Sequence, residues 1–310
     1  MFKIVLIMIA LMGRLSALES HPLSPAHIKD GNFMKIKILD SKELATPMVD
    51  GLKFCEISDI AYDANDDIFY ALSDKGNLFW LKIEIKKKTL ISVKIFASKA
   101  LRDKQGRVLR GDRGDSESLA LADDAILVSF ERNPRILKYD KKLRYQKTLP
   151  LPQPLSHISS YRGKNDALEA LTYSQKHGYI VTSEYPLKGQ KGAYHDIYTS
   201  KGKRCGVKLL DKGHAITEME MMPDGNLLLL LRKFTLRDFS FESALMKVSL
   251  DAKDGVCESE MLAWMSSKNG WKIDNFEGLT HLKDNLYLMI SDDNNNPFEK
   301  TILTLFEIKE

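Results

Sequence analysis

The chain has 310 residues, with 46 Lys and Arg against 42 Asp and Glu, for a formal charge of +4. So mild a charge, with no helix-turn-helix, zinc-finger or aromatic-and-basic stacking pattern, argues against a nucleic-acid binder. Hydrophobic content of 44% and charged content of 28% suit a globular protein with a sizeable core.

The N-terminus opens with Lys3, the apolar run Ile4 to Met12, and then Arg14-Leu-Ser-Ala-Leu18. A short basic start, an apolar run and small residues predict a secretory signal over residues 1–18, cleaved near Ala17. The run is well short of the ~20 residues of a spanning helix. The expectation is a periplasmic or secreted protein, monomeric and without stable membrane insertion once the signal is removed. Residues 18–32 read as irregular. A single domain is expected over residues 33–310, beginning with a strand from Phe33 to Asp40.

From there one unit recurs five times, each copy a pair of short strands joined by a polar turn. The openings are Ser58-Asp-Ile-Ala61, Glu117-Ser-Leu-Ala120, Glu169-Ala-Leu-Thr172, Thr217-Glu-Met-Glu220 and Glu277-Gly-Leu-Thr280. Ser58, Glu117, Glu169, Thr217 and Glu277 fall in register at spacings of 59, 52, 48 and 60 residues. That period fits one four-stranded propeller blade with its loops. Third strands follow at 78–85, 135–139, 244–250 and 302–308, and fourth strands at 90–97, 144–149, 205–210 and 258–264. The last unit lacks a fourth strand, and residues 33–40 are placed to supply it, which would close the ring and remove exposed sheet edges. The expected fold is an all-β β-propeller of five blades, with six as the alternative, closed by an N-terminal strand.

In each antiparallel pair the start of the first strand lies beside the end of the second. Glu117, Glu169 and Glu277 should therefore meet Asp74, Glu131, Glu184, Asp292 and Asp293 at one mouth. Blade four departs from this pattern, with Thr217 in place of Glu and Arg232 where acids end the second strand. Arg113 closes a polar, Gly-rich loop directly before Glu117 and should lie near the mouth. Lys188 and Lys191, in the loop after Glu184, are placed to meet an anion. So many carboxylates cannot all stay ionised without counter-charge. Arginines supply part of it and a hard cation is the other natural solution. Oxygen ligands without clustered Cys or His point to Ca²⁺, with Mg²⁺ or Mn²⁺ as alternatives. The candidate metal ligands are Glu117, Glu169, Glu277, Asp292 and Asp293. The first three are also the candidate catalytic groups, since a carboxylate free of the cation can serve as general base. Arg113, Glu131, Glu184 and Arg232 are the candidate substrate-binding residues. His195 and His214 read as structural. There is no Gly-x-Ser-x-Gly elbow, Walker loop or dinucleotide fingerprint.

Three cysteines remain, so at least one is unpaired. Cys205 and Cys257 fall on outer strands of successive blades, too far apart to bridge.

The order of these signatures resembles the phytase-like esterase family of exported bacterial proteins. The counterparts here are Ser58-Asp-Ile-Ala61, Asp115-Ser-Glu-Ser118, Val181-Thr-Ser-Glu-Tyr185, Phe276-Glu-Gly278 and the closing Ser291-Asp-Asp-Asn294, over residues 50–308. Ser118 and Ala170 replace glycines of the family pattern, and Arg232 replaces an acid. The resemblance implies a β-propeller, export, and hydrolysis of a small-molecule ester or phosphoester. The alternative is a non-catalytic propeller that binds a ligand or a protein and uses calcium for structure.

Overall fold

The computed structural model describes residues 14–16, 18–190, 194–211 and 213–309. The apolar run Ile4 to Met12 and Lys191 lie outside the described residues. Five antiparallel sheets follow one another along the chain. Blade one comprises Ile57–Asp63, Ile68–Ser73, Asn77–Lys86 and Thr89–Ala100. Blade two comprises Ser116–Ala122, Ala125–Phe130, Arg135–Asp140 and Tyr145–Leu149. Blade three comprises Leu168–Ser174, Gly178–Ser183, Tyr194–Thr199 and Arg204–Lys208. Blade four comprises Ala215–Met221, Leu227–Thr235, Ser240–Val248 and Ser259–Ser266. Blade five takes Asn275–Lys283, Leu286–Asp292 and Ile302–Ile308 from the C-terminal end of the chain.

The missing fourth strand of blade five is Ile36–Leu44, which pairs antiparallel with Ile302–Ile308. The expected closing strand is therefore present, shifted by a few residues. Two further short strands add at the rims: Arg14–Ser16 pairs with Thr89–Ala100, and Leu18–Ser20 with Ile36–Leu44. Each innermost strand packs against the innermost strands of both neighbouring blades, so the ring is closed with five members.

The sequence makes these elements by simple means. The second strands are buried on both faces, as in Leu227 to Leu231, which are all fully buried. Five apolar clusters fill the five gaps between blades, one per gap. The hairpin turns at the closed ends of the inner strand pairs use residues that accept the left-handed region. These are Asp67, Asp123, Gly178, Gly225 and Asp284, with φ from 50° to 84°.

One expectation is corrected. Cys205 and Cys257 form a disulfide, with Cα atoms 5.5 Å apart. Cys257 is not on the outer strand of blade four, which begins at Ser259. It lies in the loop before that strand, which folds back onto the edge of blade three. There Gly206 N–H donates to Gly255 O at 2.8 Å and Cys257 N–H to Gly206 O at 3.0 Å. Cys55 is free and buried.

Candidate functional site

The innermost strands share one backbone irregularity. Each carries a β-bulge near its start, at Ser58, at Glu117 with Ser118, at Glu169 with Ala170, at Thr217, and at Glu277. The repeated position found in the sequence is thus the bulged one. A bulge bends its strand and re-aims a side chain. Here it turns the repeated side chains towards the end of the ring where the second strands finish.

At that mouth two groups of carboxylates converge. Asp115, Glu117 and Glu131 form one, and Glu131, Glu169 and Glu184 the other, each with one oxygen per residue within 4.8 Å of the other two. Glu131 belongs to both. Glu131, Glu169 and Glu184 are each 6% exposed, so water offers them little compensation. Among the described residues, the Glu117 and Glu169 carboxylates have no hydrogen bond or ion pair. Burial, and then the neighbouring acids, push both pKa values well above the carboxylate range. Burial, then Asp115 and Glu184, raise Glu131 to about 8. Burial raises Glu184 to about 7 against the pull of Arg232.

Arg232 organises the opposite side of the mouth. Its Nη2 donates to Glu184 Oε1 at 2.9 Å, and its Nη1 to Glu277 Oε1 at 3.0 Å and to Asn275 Oδ1. Asn275 Nδ2 also donates to Glu277 Oε1 at 2.9 Å. Burial opposes the Arg232 charge, but Glu277 and Glu184 outweigh it and raise its pKa. Glu277 therefore sits in a neutralised cluster, apart from the two carboxylate triads.

The acids ending blade five also go elsewhere. Asp293 Oδ1 accepts from Glu56 N–H at 2.8 Å and Asn295 N–H at 3.0 Å, while Oδ2 accepts from Thr301 Oγ1 at 3.0 Å. It ties the last blade to the entry of the first. Asp292 Oδ1 accepts from Asn294 N–H at 2.7 Å. Burial, then Glu277, push Asp292 well above its usual range. Burial raises Asp74 to about 6, with Lys75 opposing at 3.0 Å.

The structure thus brings together Glu117, Glu131, Glu169 and Glu184, and joins Asp115 to them. Glu277, Asp292 and Asp293 stand outside both triads. Arg113 is also displaced, because its half-exposed guanidinium reaches Asp103 at 3.9 Å and not the carboxylates. The arginine beside the first triad is Arg132, with Nε 2.6 Å from Asp115 Oδ2 and Nη1 2.9 Å from Asp112 Oδ1. Arg135 stacks 3.9 Å over the Phe130 ring. Asn275 was invisible as a site residue because nothing in its sequence setting marks it as a bridge. Its position two residues before the repeated Glu277 is the only clue.

The donor set is all oxygen. Three oxygens within 4.8 Å fit inside the ~5 Å that two ligands of one hard cation can span. Each triad has one member in contact with an arginine, Asp115 with Arg132 and Glu184 with Arg232, and its other carboxylates offer oxygen donors at a spacing that a hard cation could bridge.

No curated protein matches the chain. Among solved structures, a streptogramin B lyase aligns at 10% identity over 91% of this chain and 100% of its own, with a TM-score of 0.39. Virginiamycin B lyase from Staphylococcus aureus aligns at 9% identity over 94% and 99%, with a TM-score of 0.42. A nidogen/laminin complex aligns at 11% over 85% of each chain, with a TM-score of 0.43. Likenesses this distant carry nothing about chemistry. Residues 53–295 match the family described as phytase-like, "Esterase-like activity of phytase". That match spans well over half of the sequence and runs through all five blades, so the chain belongs to the phytase-like family.

Proposed function

We propose that this chain is an exported, monomeric, metal-dependent hydrolase acting on a phosphoester or related small ester at the propeller mouth. The observation that carries the reading is the buried triad Glu131, Glu169 and Glu184, three carboxylates with one arginine contact among them, to Glu184. Family and fold support a hydrolase-type function at the coarser level. The Cys205–Cys257 disulfide supports export, because disulfides persist in oxidising compartments.

A bound hard cation would supply a Lewis acid for an ester or phosphoester oxygen. Glu131, Glu169 and Glu184 would hold it, and Asp115 and Glu117 extend the site through the shared Glu131. Glu117 is half-buried and, among the described residues, makes no hydrogen bond, so it is placed to take a proton from an attacking water. Arg132, partly exposed beside Asp115, is the cation nearest to meet an anionic leaving group. Arg232 instead keeps Glu184 and Glu277 in place.

The test is turnover of p-nitrophenyl phosphate and p-nitrophenyl acetate by the mature protein in Ca²⁺, Mg²⁺, Mn²⁺ or EDTA. We expect cation-dependent hydrolysis that drops at least ~10-fold in kcat/KM in Glu131→Gln and Glu169→Gln with far-UV circular dichroism unchanged. No turnover in any cation would sink the hydrolase reading. The second reading, a binding propeller with structural calcium, is favoured by the Arg232 and Asp293 contacts that already make half of the mouth structural. Calcium-dependent stability without turnover would select it.

A further inference from the structure

A second pair of acids lies one residue deeper in the channel than the bulged ring. The positions following the repeated residues Ser58, Glu117, Glu169, Thr217 and Glu277 are Asp59, Ser118, Ala170, Glu218 and Gly278. Blades one and four, which have short Ser58 and Thr217 at the bulge, carry their acid here. Asp59 and Glu218 are each 1% exposed. They come from blades separated by blade five, and Gly278 of that blade lets the blade-one backbone approach closely. A Cβ there would lie 2.9 Å from the Asp59 Cα.

The hydrogen bonds around the pair are unequal. Asp59 Oδ1 accepts from Ile60 N–H at 2.6 Å and Oδ2 from Leu119 N–H at 2.7 Å. The Ser118 hydroxyl, which accepts from Leu171 N–H at 3.0 Å, lies 3.2 Å from both Asp59 Oδ2 and Leu171 O. Glu218 Oε1 accepts from Met219 N–H at 2.6 Å, while Oε2 is buried and, among the described residues, has no donor of its own: the nearby Ser118 hydroxyl has one proton, already shared between Asp59 Oδ2 and Leu171 O. The two carboxyl groups are in hydrogen-bond contact with each other. Two ionised carboxylates in contact would repel and leave Oε2 unpaired, whereas one proton on Oε2 satisfies every polar atom of the pair. The geometry points to a neutral carboxylic acid at Glu218 that donates to an ionised Asp59, a shared-proton clasp joining blades one and four across the channel.

The other titratable groups on the surrounding inner strands are Tyr62, Asp63, Glu117, Glu169, Tyr173, Glu220, Glu277, His281 and the exposed Lys283. Asp63 pairs with Lys141 at 2.5 Å and Glu277 with Arg232, so neither cation is available to the clasp. Glu220 is raised to about 8, by burial first, and is eased by His281 N–H. Among the described residues, no Lys, Arg or His hydrogen-bonds or ion-pairs with Asp59 or Glu218. Burial raises Asp59 to about 7 and Glu218 well above its usual range. For carboxyl groups raised on folding, stability is full below the unfolded value and falls as pH rises through the folded one. The clasp should therefore loosen towards alkaline pH. It is independent of turnover at the mouth.

The test compares thermal unfolding of the mature protein and Glu218→Gln between pH 5 and pH 9, in EDTA and in Ca²⁺. The glutamine amide reproduces the donor without the titration. We expect equal melting temperatures at pH 5 and a shallower decline in the variant, the difference growing above pH 7. The mouth carboxylates contribute equally to both proteins and cancel in the comparison. Asp59→Asn sets an amide donor against one of the backbone N–H groups that the two Asp59 oxygens accept from, so it should lower the melting temperature at every pH. Parallel curves for wild type and Glu218→Gln would overturn the clasp. So would failure of Glu218→Gln to fold at any pH, because its amide keeps the donor to Asp59. A Ca²⁺-induced rise in melting temperature that disappears in Glu218→Gln would assign the pair to a cation instead, and overturn it as well.

Discussion

Arg232 shows how one side chain divides the mouth into two regimes. Its guanidinium spans acids from two other blades, Glu184 and Glu277, and compensates one oxygen of each. Glu117 and Glu169 have no such partner. Replacing Arg232 by Met keeps bulk but leaves two buried carboxylates unpaired. Breaking a buried pair in this way costs roughly 3–5 kcal/mol. We expect that loss in urea unfolding at neutral pH. Part of it should return at pH 5, because Glu184 and Glu277 both have pKa values raised on folding and are neutralised below them. Arg232→Lys should recover little, since a single ammonium cannot reach both acids in the forked geometry.

The element that repeats is the bulged inner strand. It places a polar side chain at the mouth in every blade and a second set one residue deeper. The deeper position accepts serine in blade two and alanine in blade three, yet it is Gly278 in blade five. A Cβ there would meet Ile290 Cγ2 at 2.6 Å and the Asp59 and Ile60 backbone at 2.9 Å. Backbone cannot yield as a side-chain tip can, so Gly278→Ala forces the inner strands of blades five and one apart. Overpacking of this kind costs about 1–3 kcal/mol. A lower melting temperature with unchanged far-UV circular dichroism is expected, and no change would mean that the strands separate freely.

Across the whole molecule, closure by Ile36–Leu44 makes the first and last blades interdependent, and the acids collect where that closed ring opens. The mouth carboxylates have raised pKa values, Glu184 about 7 and Glu131 about 8, with Glu117 and Glu169 well above their usual range. In metal-free protein their contribution to stability is therefore greatest in acid and is lost as pH rises through those values. A cation competes with the same protons. Ca²⁺ should thus raise the melting temperature more at pH 8 than at pH 5, and its apparent affinity should weaken as pH falls. A calcium effect independent of pH would place the ion away from these carboxylates.

The sequence by itself determined the repeat, the propeller architecture, the closing strand and the acidic mouth. Each follows from local patterning that survives in one dimension: alternation, turn residues, and an acid at a fixed offset from an apolar run. Ring closure in the structure fixed the count at five blades. Which acids meet was decided by the tertiary structure. Glu277 and Glu169 occupy the same position in their blades, yet Arg232 and Asn275 reach only Glu277. Asp293 resembles a ligand in sequence and is consumed by the backbone N–H of Glu56, 237 residues away, together with Asn295 N–H and the Thr301 hydroxyl. Cys257 reaches Cys205 because an irregular loop turns back across a blade boundary, a path without a periodic signal. Strand pairing is written into local patterns, but the distances between side chains of different blades arise only when the ring closes.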